Sequence, residues 1–118
     1  MWGVYMDLNT YQKETRRTRN NSLTNQELLT NGALGLVGET GEVVDVIKKH
    51  LFQGHDLDKA KIVDELGDVM WYIALICDCI DFNLDFVTSH NILKLRKRYP
   101  DKFSPEKSIN RVGKQVID

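Results

Sequence analysis

Two stretches of the sequence determine the predicted fold: residues 33–51 read ALGLVGETGEVVDVIKKHL, and residues 64–74 read DELGDVMWYIA. In both, apolar residues recur every three to four positions, which places them on one face of a helix. The only prolines are Pro100 and Pro105, so no proline interrupts a helix before residue 100. Since strand-like alternation and internal repeats are also absent from the sequence, it predicts long helices.

Cap residues and loop residues divide the chain into four helical segments and a short final turn. The first segment runs from about Leu8 to Arg19 with Asp7 or Asn9 as cap, and the second runs from Thr24 or Asn25 to about Phe52. The third runs from about Asp58 to Ile80 with Asp56 or Asp58 as cap, and the fourth runs from Asn83 or Asp85 to Tyr99. The final turn is Ser104-Pro105-Glu106. Gly54 suits the left-handed position that ends a helix. We expect an all-α, antiparallel helical bundle of about four main helices.

The length of 118 residues suits one domain. We predict a single domain over residues 1–118, with its core in residues 8–104 and a short C-terminal tail in residues 105–118, of which residues 112–118 are loose or bound to a partner. A short bundle that carries a ligand cleft has apolar surface to cover, so we expect a homodimer or homotetramer. Trp2 is either part of a base-stacking lid or merely terminal.

Composition excludes several classes of function. Sixteen Lys and Arg against seventeen Asp and Glu give a net charge of −1, which indicates neither a nucleic-acid binder nor a membrane binder. Cys77 and Cys79 point to different sides of a helix and cannot pair readily, which favours a reducing compartment. Residues 1–7 lack the pattern of a signal peptide. We therefore expect a cytoplasmic protein.

Four carboxylates form the strongest functional pattern. Glu39 and Glu42 are three residues apart, as are Glu65 and Asp68, so each pair projects from one face of its helix. Both pairs flank predicted core faces; these faces comprise Leu36, Val43 and Ile47 in the second segment and Ile62, Leu66, Val69, Ile73 and Ile80 in the third. Adjacent helices can direct both pairs into one cleft, where their repulsion requires a cation. Oxygen-only ligands suit Mg²⁺ or Mn²⁺, and Mg²⁺ is commonly completed by substrate phosphates.

Glycines accompany these carboxylates. Gly41 and Gly67 fall between the members of the two pairs, and Gly32, Gly35 and Gly38 precede them in the second segment. A glycine inside a helix costs about 1 kcal/mol relative to alanine. Close approach of another helix, or of a ligand to the backbone, would explain that cost. Spacing alone still leaves a solvated acidic face as the alternative.

The stretch from Ala33 to Ser104 resembles the MazG-like family of all-α nucleoside triphosphate pyrophosphohydrolases. Residues 33–51 and 64–74 carry the resemblance, together with NILKLRKRYPDKFS at 91–104, and Tyr11-Gln12 with Arg17-Thr18 is similar to the family's first helix. The resemblance implies that Mg²⁺, which Mn²⁺ can replace, is bound by all four acidic residues: Glu39, Glu42, Glu65 and Asp68. It also implies cleavage of a nucleoside triphosphate between the α- and β-phosphates into monophosphate and pyrophosphate.

Chemistry of this kind needs a proton acceptor and positive charge. A glutamate that is not fully used as a ligand can accept the proton of a metal-activated water, and Glu39 and Glu42 are equal candidates for this catalytic role. Residues predicted to contact substrate are Lys49, Tyr72, Asn91, Lys94 and Arg98. Asn91, Lys94 and Arg98 share one helical stripe. The alternative interpretation is that this stripe is a solvated basic face. Tyr72 lies on the carboxylate stripe, where it either contacts a sugar or base or is an ordinary core or interface residue. Trp71 points away from that stripe and is expected to pack or to lie at an interface.

Two other functions stay open. One is a related enzyme with a different nucleotide, such as a phosphoribosyl-ATP pyrophosphohydrolase, although the RYPDKFS segment favours the MazG-like branch. The other is a non-catalytic helical module that binds metal or nucleotide, or only dimerises. The three histidines lack metal-ligand spacing with one another or with the cysteines, which argues against a zinc site.

Overall fold

The computed structural model describes residues 5–111, which fold into five α-helices. The helices are α1 (Leu8–Thr15), α2 (Asn25–Phe52), α3 (Lys59–Cys79), α4 (Leu84–Arg98) and α5 (Pro105–Ile109). Because the described residues contain no β-strand, the predicted all-α class is confirmed. The predictions for Trp2 and for residues 112–118 lie outside this range.

Local sequence signals set the ends of the long helices as predicted. Thr24 caps α2 through a capping box, in which its hydroxyl accepts from the Glu27 backbone N–H while the Glu27 carboxylate accepts from the Thr24 backbone N–H, both at 3.1 Å. Asp58 caps α3 by accepting a hydrogen bond from the Lys61 backbone N–H at 3.0 Å. Gly54, just beyond α2, has φ of 73°, a conformation that favours glycine.

Helix α1 is shorter than predicted, since it ends at Thr15 rather than near Arg19. The following residues form tighter turns, in which the backbone N–H groups of Arg16, Arg17 and Thr18 each bond three residues back. Ion pairs from Arg16 and Arg19 to Asp78 on α3 hold this segment. Tertiary contacts therefore override a local pattern that favoured continued helix.

Helices α2 and α3 pack closely and run antiparallel. An added Cβ at Gly32 would lie 2.8 Å from Cγ1 of Ile76, and one at Gly35 would collide with the ring of Tyr72. Further along α2, Glu39 lies beside Asp68 of α3. Residue numbers thus rise on one helix as they fall on the other. Close helix approach explains Gly32 and Gly35.

The buried core of the described chain lies nearer the C-terminal half of α3 than predicted. Its buried apolar residues are Leu28, Val46, Ala74, Leu75, Cys77, Cys79 and Leu84. The predicted core faces were wrong in part, because Leu66 and Ile80 are each 48% exposed and Ile47 is 39% exposed. Helical spacing identifies an apolar stripe, but it does not say which part of the stripe another element of the same chain covers. Cys77 and Cys79 are both free, as predicted.

Asp78 anchors the α1 region to α3. Its side chain is 9% exposed and receives hydrogen bonds from Arg16 at 2.8 Å and from Arg19 at 2.9 Å. Gln12, which is 2% exposed, donates to the Asp78 carboxylate at 2.7 Å and accepts from the Leu84 backbone N–H at 2.7 Å. Burial raises the pKa of Asp78, but the hydrogen bonds from Arg16 and Gln12, with the charges of Arg16 and Arg19, outweigh burial and lower it.

The chain divides after Leu84 into two compact units. The second contains most of α4 and the whole of α5, which begins at Pro105 and is capped by Ser104, as predicted. In this unit the rings of Tyr99 and Phe103 pack with centroids 5.3 Å apart. Within the described residues, no helix is long and apolar enough to cross a membrane.

Candidate active site

The antiparallel packing of α2 and α3 brings three of the four predicted carboxylates together. Carboxylate oxygens of Glu39, Glu65 and Asp68 all lie within 4.8 Å of one another. Glu39 comes from α2, and Glu65 and Asp68 come from consecutive turns of α3. The three residues are called the acidic cluster below. Such a set of oxygen atoms from two helices has the composition that a hard divalent cation requires.

Glu39 and Glu65 of the acidic cluster differ in burial, and their pKa values shift in opposite directions. Glu65 is 7% exposed, whereas Glu39 is half-buried. The hydrogen bond with Glu65, followed by burial and the negative charges of Asp68, Glu65 and Glu42, raises the pKa of Glu39. The hydrogen bonds from Glu39 and Lys61 lower the pKa of Glu65. Carboxylates this close repel one another when both are charged, so a nearby cation would stabilise them.

Glu42 lies outside the tight group, although it is close enough to influence it. Its side chain is exposed. Its negative charge raises the pKa values of both Glu39 and Lys61. Glu42 is therefore an exposed carboxylate that lies beside the acidic cluster but outside it.

Lys61 and Tyr11 border the acidic cluster. Neither residue was predicted there from the sequence. The Lys61 ammonium lies 3.2 Å from Oε1 of Glu65, one helical turn away. The i, i+4 spacing on α3 could have identified this pair. The Tyr11 hydroxyl donates to the carbonyl of Gly67 at 3.4 Å, and burial followed by the charge of Asp68 raises its pKa. Tyr11 is 56 residues from Gly67, so no local pattern indicates that contact.

Three helical glycines near the acidic cluster have open space where a side chain would stand. An added Cβ at Gly38, Gly41 or Gly67 would meet no atom within 4 Å. Packing within the described chain, which explains Gly32 and Gly35, therefore does not explain these three. Approach of a ligand or a second chain stays the prediction for them.

A cleft of about 410 Å³ opens beside the acidic cluster. Its lining residues are Thr18, Glu39, Asp68, Trp71 and Tyr72. The indole of Trp71 meets the ring of Tyr72 edge to face, with centroids 5.0 Å apart and an interplanar angle of 84°. Trp71 packs against the buried core as expected, but it also lines the cleft, which the helical angle alone did not indicate.

The other predicted substrate contacts are Lys49 on α2 and three residues of the second compact unit. The Lys49 ammonium forms an ion pair with Asp45 at 2.8 Å. On α4, Lys94 is half-buried beside a cavity of about 310 Å³ and Asn91 is exposed. Nε of Arg98 is buried and has no hydrogen-bond partner among the described residues. The roles of these four residues in substrate binding stay predictions.

The chain matches a known protein family. The family model of the MazG nucleotide pyrophosphohydrolase domain matches residues 26–103, which include every member of the acidic cluster. The chain belongs to the MazG family. Residues before 26, including Thr18 and the α1 region, lie outside the match.

A second comparison finds a phage relative of this MazG chain. The chain is 39% identical over 69 residues to the Gene 37 protein of Mycobacterium phage L5, a match that covers 55% of this chain and 60% of the relative. The chain thus aligns with about three fifths of the relative's length, and the name of that protein states no activity. No solved structure matches the chain.

Proposed function

We propose that this MazG-family protein hydrolyses nucleoside or deoxynucleoside triphosphates to a monophosphate and pyrophosphate. The observation that carries the proposal is the acidic cluster, whose three carboxylates from two helices border a cleft. The cleft volume of about 410 Å³ is in the range of small-molecule sites. Membership in a family of nucleotide pyrophosphohydrolases supports the reaction class.

Mg²⁺, or Mn²⁺ in its place, is the cofactor that fits these residues, and Glu39, Glu65 and Asp68 would hold it together with Glu42. The donors are all oxygen atoms, and Lys61 pairs with Glu65 at 3.2 Å. When bound, such a cation offsets the charge of phosphate oxygens and lowers the pKa of a coordinated water. Carboxylates held this close repel one another, which favours cation binding.

The chain's own residues then have separate tasks. Glu65 and Asp68, on adjacent turns of α3, would offer their carboxylate oxygens to the cation. Glu42, which is exposed and outside the tight group, is the carboxylate best placed to accept a proton from the attacking water, and Glu39 is the other candidate. Tyr72 lines the cleft and would contact the sugar or base.

Positive charge for the phosphates would come from basic residues named from the sequence. The planar guanidinium of Arg98 suits phosphate oxygens, to which it can donate two parallel hydrogen bonds. We also assign phosphate contacts to Lys94, Asn91 and Lys49. Lys94→Ala and Arg98→Ala should each lower kcat/KM about tenfold without weakening Mg²⁺ binding. Lys97→Ala is the matched control and should leave both unchanged.

The proposed molecule is a homo-oligomer, either a dimer or a tetramer. Exposed apolar residues follow one stripe of α2 at spacings of three, seven and seven: Leu34, Val37, Val44 and Leu51. A stripe of this kind is the seam by which helices of two chains pack. Light scattering at micromolar concentration should give at least twice the mass of 13.6 kDa. A monomer would contradict this part of the proposal.

Domain organisation and location belong to the same proposal. We assign residues 1–118 to one MazG-like domain with its core in 8–104 and a short tail in 105–118. Two free, buried cysteines support a reducing compartment such as the cytoplasm. The net charge of −1 does not favour a nucleic acid or a membrane as partner.

The test is an assay of products with a panel of nucleoside triphosphates and Mg²⁺. The proposal expects monophosphate and pyrophosphate in equal amounts, and no reaction when Mg²⁺ is chelated. Release of inorganic phosphate with a diphosphate would contradict the cleavage site. Hydrolysis of phosphoribosyl-ATP alone would indicate the related enzyme. Binding of nucleotide without turnover of any substrate would indicate a non-catalytic module.

A further inference from the structure

The cleft has two chemically different ends. Glu39 and Asp68 line one end, and Thr18, Trp71 and Tyr72 line the other. The carboxylates suit the cation and phosphates of the proposed function, so the aromatic end is left for the remainder of a nucleotide. The sequence predicts only packing or an interface for Trp71, and the family match begins beyond Thr18.

Hydrogen bonds fix the position of the Trp71 indole. Its Nε1–H donates to the Thr18 hydroxyl at 2.8 Å, and that hydroxyl in turn donates to the Thr15 carbonyl at 3.1 Å. Both polar groups are therefore satisfied within the protein. Tyr72 is fixed separately, because its ring lies against the backbone of Gly35, where any Cβ would collide with it. Neither ring can turn without losing these contacts.

The Trp71 indole is held in place and its N–H already donates to Thr18, so it can recognise a ligand by stacking. It offers a flat apolar surface, but it has no indole donor to read the hydrogen-bonding edge of a base. Stacking on an aromatic side chain tolerates every base, because every base has a π face. Its strength grows with the area of the stacked ring, so a purine gains more than a pyrimidine.

We propose that Trp71, held by Thr18, is the stacking surface for the nucleobase, and that it makes the site tolerant of base identity with a preference for purines. The inference rests on the proposed function, since it places a nucleotide in the cleft. Thr18 acts as a positioning residue: it touches the indole and sets its orientation.

The test measures binding apart from turnover. Trp2→Phe leaves Trp71 as the sole tryptophan, and its fluorescence is titrated with AMP and with CMP at fixed Mg²⁺. We expect quenching by both nucleotides, with a lower Kd for AMP. Trp71→Leu, followed by calorimetry, should raise the Kd for AMP about tenfold or more and the Kd for CMP less, while the Kd for inorganic pyrophosphate stays unchanged. Trp71→Phe should recover most of the affinity for AMP.

Thr18→Val keeps the shape of the side chain and removes the hydrogen bond, so it tests the inference even if Trp71→Leu does not fold. We expect it to raise the Kd for AMP at least threefold and leave that for pyrophosphate unchanged. Thr30→Val, on an exposed part of α2, is the matched control and should change neither. Equal AMP affinity in the parent and Thr18→Val, or no quenching of Trp71, would overturn the inference while leaving hydrolysis intact. Quenching without hydrolysis of any triphosphate would instead overturn the proposed function alone.

Discussion

Helix α3 carries acidic residues in two places with opposite surroundings. Near its C-terminal end, Asp78 is neutralised by Arg16 and Arg19 and hydrogen-bonded to Gln12. Ten residues earlier, Asp68 stands with Glu65 and Glu39 in a group that has Lys61 at one edge. The first carboxylate has its charge satisfied by the protein and fixes the α1 region. The second group holds excess negative charge beside a cleft, as a cation site does.

The largest expected difference between the two places is in activity. Asp68→Asn keeps the size of the side chain and removes a charge from the acidic cluster, so kcat/KM should fall at least about 100-fold, the scale of losing one group that stabilises transition-state charge. The metal-free variant should melt no lower than the parent, because repulsion is relieved. Steady-state pyrophosphate release and thermal melting measure the two effects. Asp64→Asn, an exposed acid on the same helix, is the control and should retain full activity.

The second expected effect is on stability. Asp78→Asn leaves Arg16 and Arg19 without a counter-charge and should lower the free energy of unfolding by about 1–3 kcal/mol, with the exposure of Arg16 limiting the loss. Urea denaturation gives the change. Asp81→Asn is the matched control, because asparagine tolerates the positive φ of that position. If Asp78→Asn were as stable as this control, Asp78 would not anchor the α1 region.

The pH dependence of stability should separate the parent from Asp78→Asn. Burial raises the pKa of Asp78, but its hydrogen bonds and the arginine charges lower it further, so the folded value lies below the ordinary value of about 3.9. The unfolded state therefore binds the proton more readily. The stabilisation is present above pH 4 and is lost as pH falls through the folded pKa. In urea titrations from pH 6 to pH 3, the gap between parent and variant should narrow below pH 4, and a constant gap would contradict this.

The smallest expected effect is at Lys61. Lys61→Met removes a positive charge from the edge of the acidic cluster, so divalent cations should bind more tightly, by up to about threefold at low salt because the pair is exposed on the lysine side. Calorimetric titration with Mn²⁺ measures it. Lys59→Met, an exposed lysine at the start of α3, is the control. Weaker binding in Lys61→Met would show that Lys61 supports the site by orienting Glu65.

Local spacing predicted the parts of the molecule that depend on neighbouring residues. The cap of α2 at Thr24 (one of two candidates), the left-handed Gly54 and the projection of Glu65 with Asp68 all follow from residues within four positions of one another. Contacts between distant residues could not be predicted in this way. Thr18 and Trp71 are 53 positions apart, and Arg16 is 62 positions from Asp78. The end of α1 and the aromatic wall of the cleft depend on these contacts.

The exposed apolar stripe on α2 shows a second reason for incomplete prediction. Val37 is 73% exposed although it belongs to a strongly apolar segment. Periodicity shows that such a face should be covered, but it does not distinguish cover by the same chain from cover by another copy. For the same reason, the predicted core faces wrongly included Leu66, Ile80 and Ile47, which are exposed.

Counting bound Mn²⁺ by the electron paramagnetic resonance signal of the free ion tests whether the acidic cluster, and not Asp78, holds a divalent cation. The parent and Asp78→Asn should both remove Mn²⁺ from solution with similar Kd, and excess Mg²⁺ should displace it. Asp68→Asn should bind it at least about tenfold more weakly. Unchanged Mn²⁺ binding in Asp68→Asn, or its loss in a folded Asp78→Asn, would contradict the account.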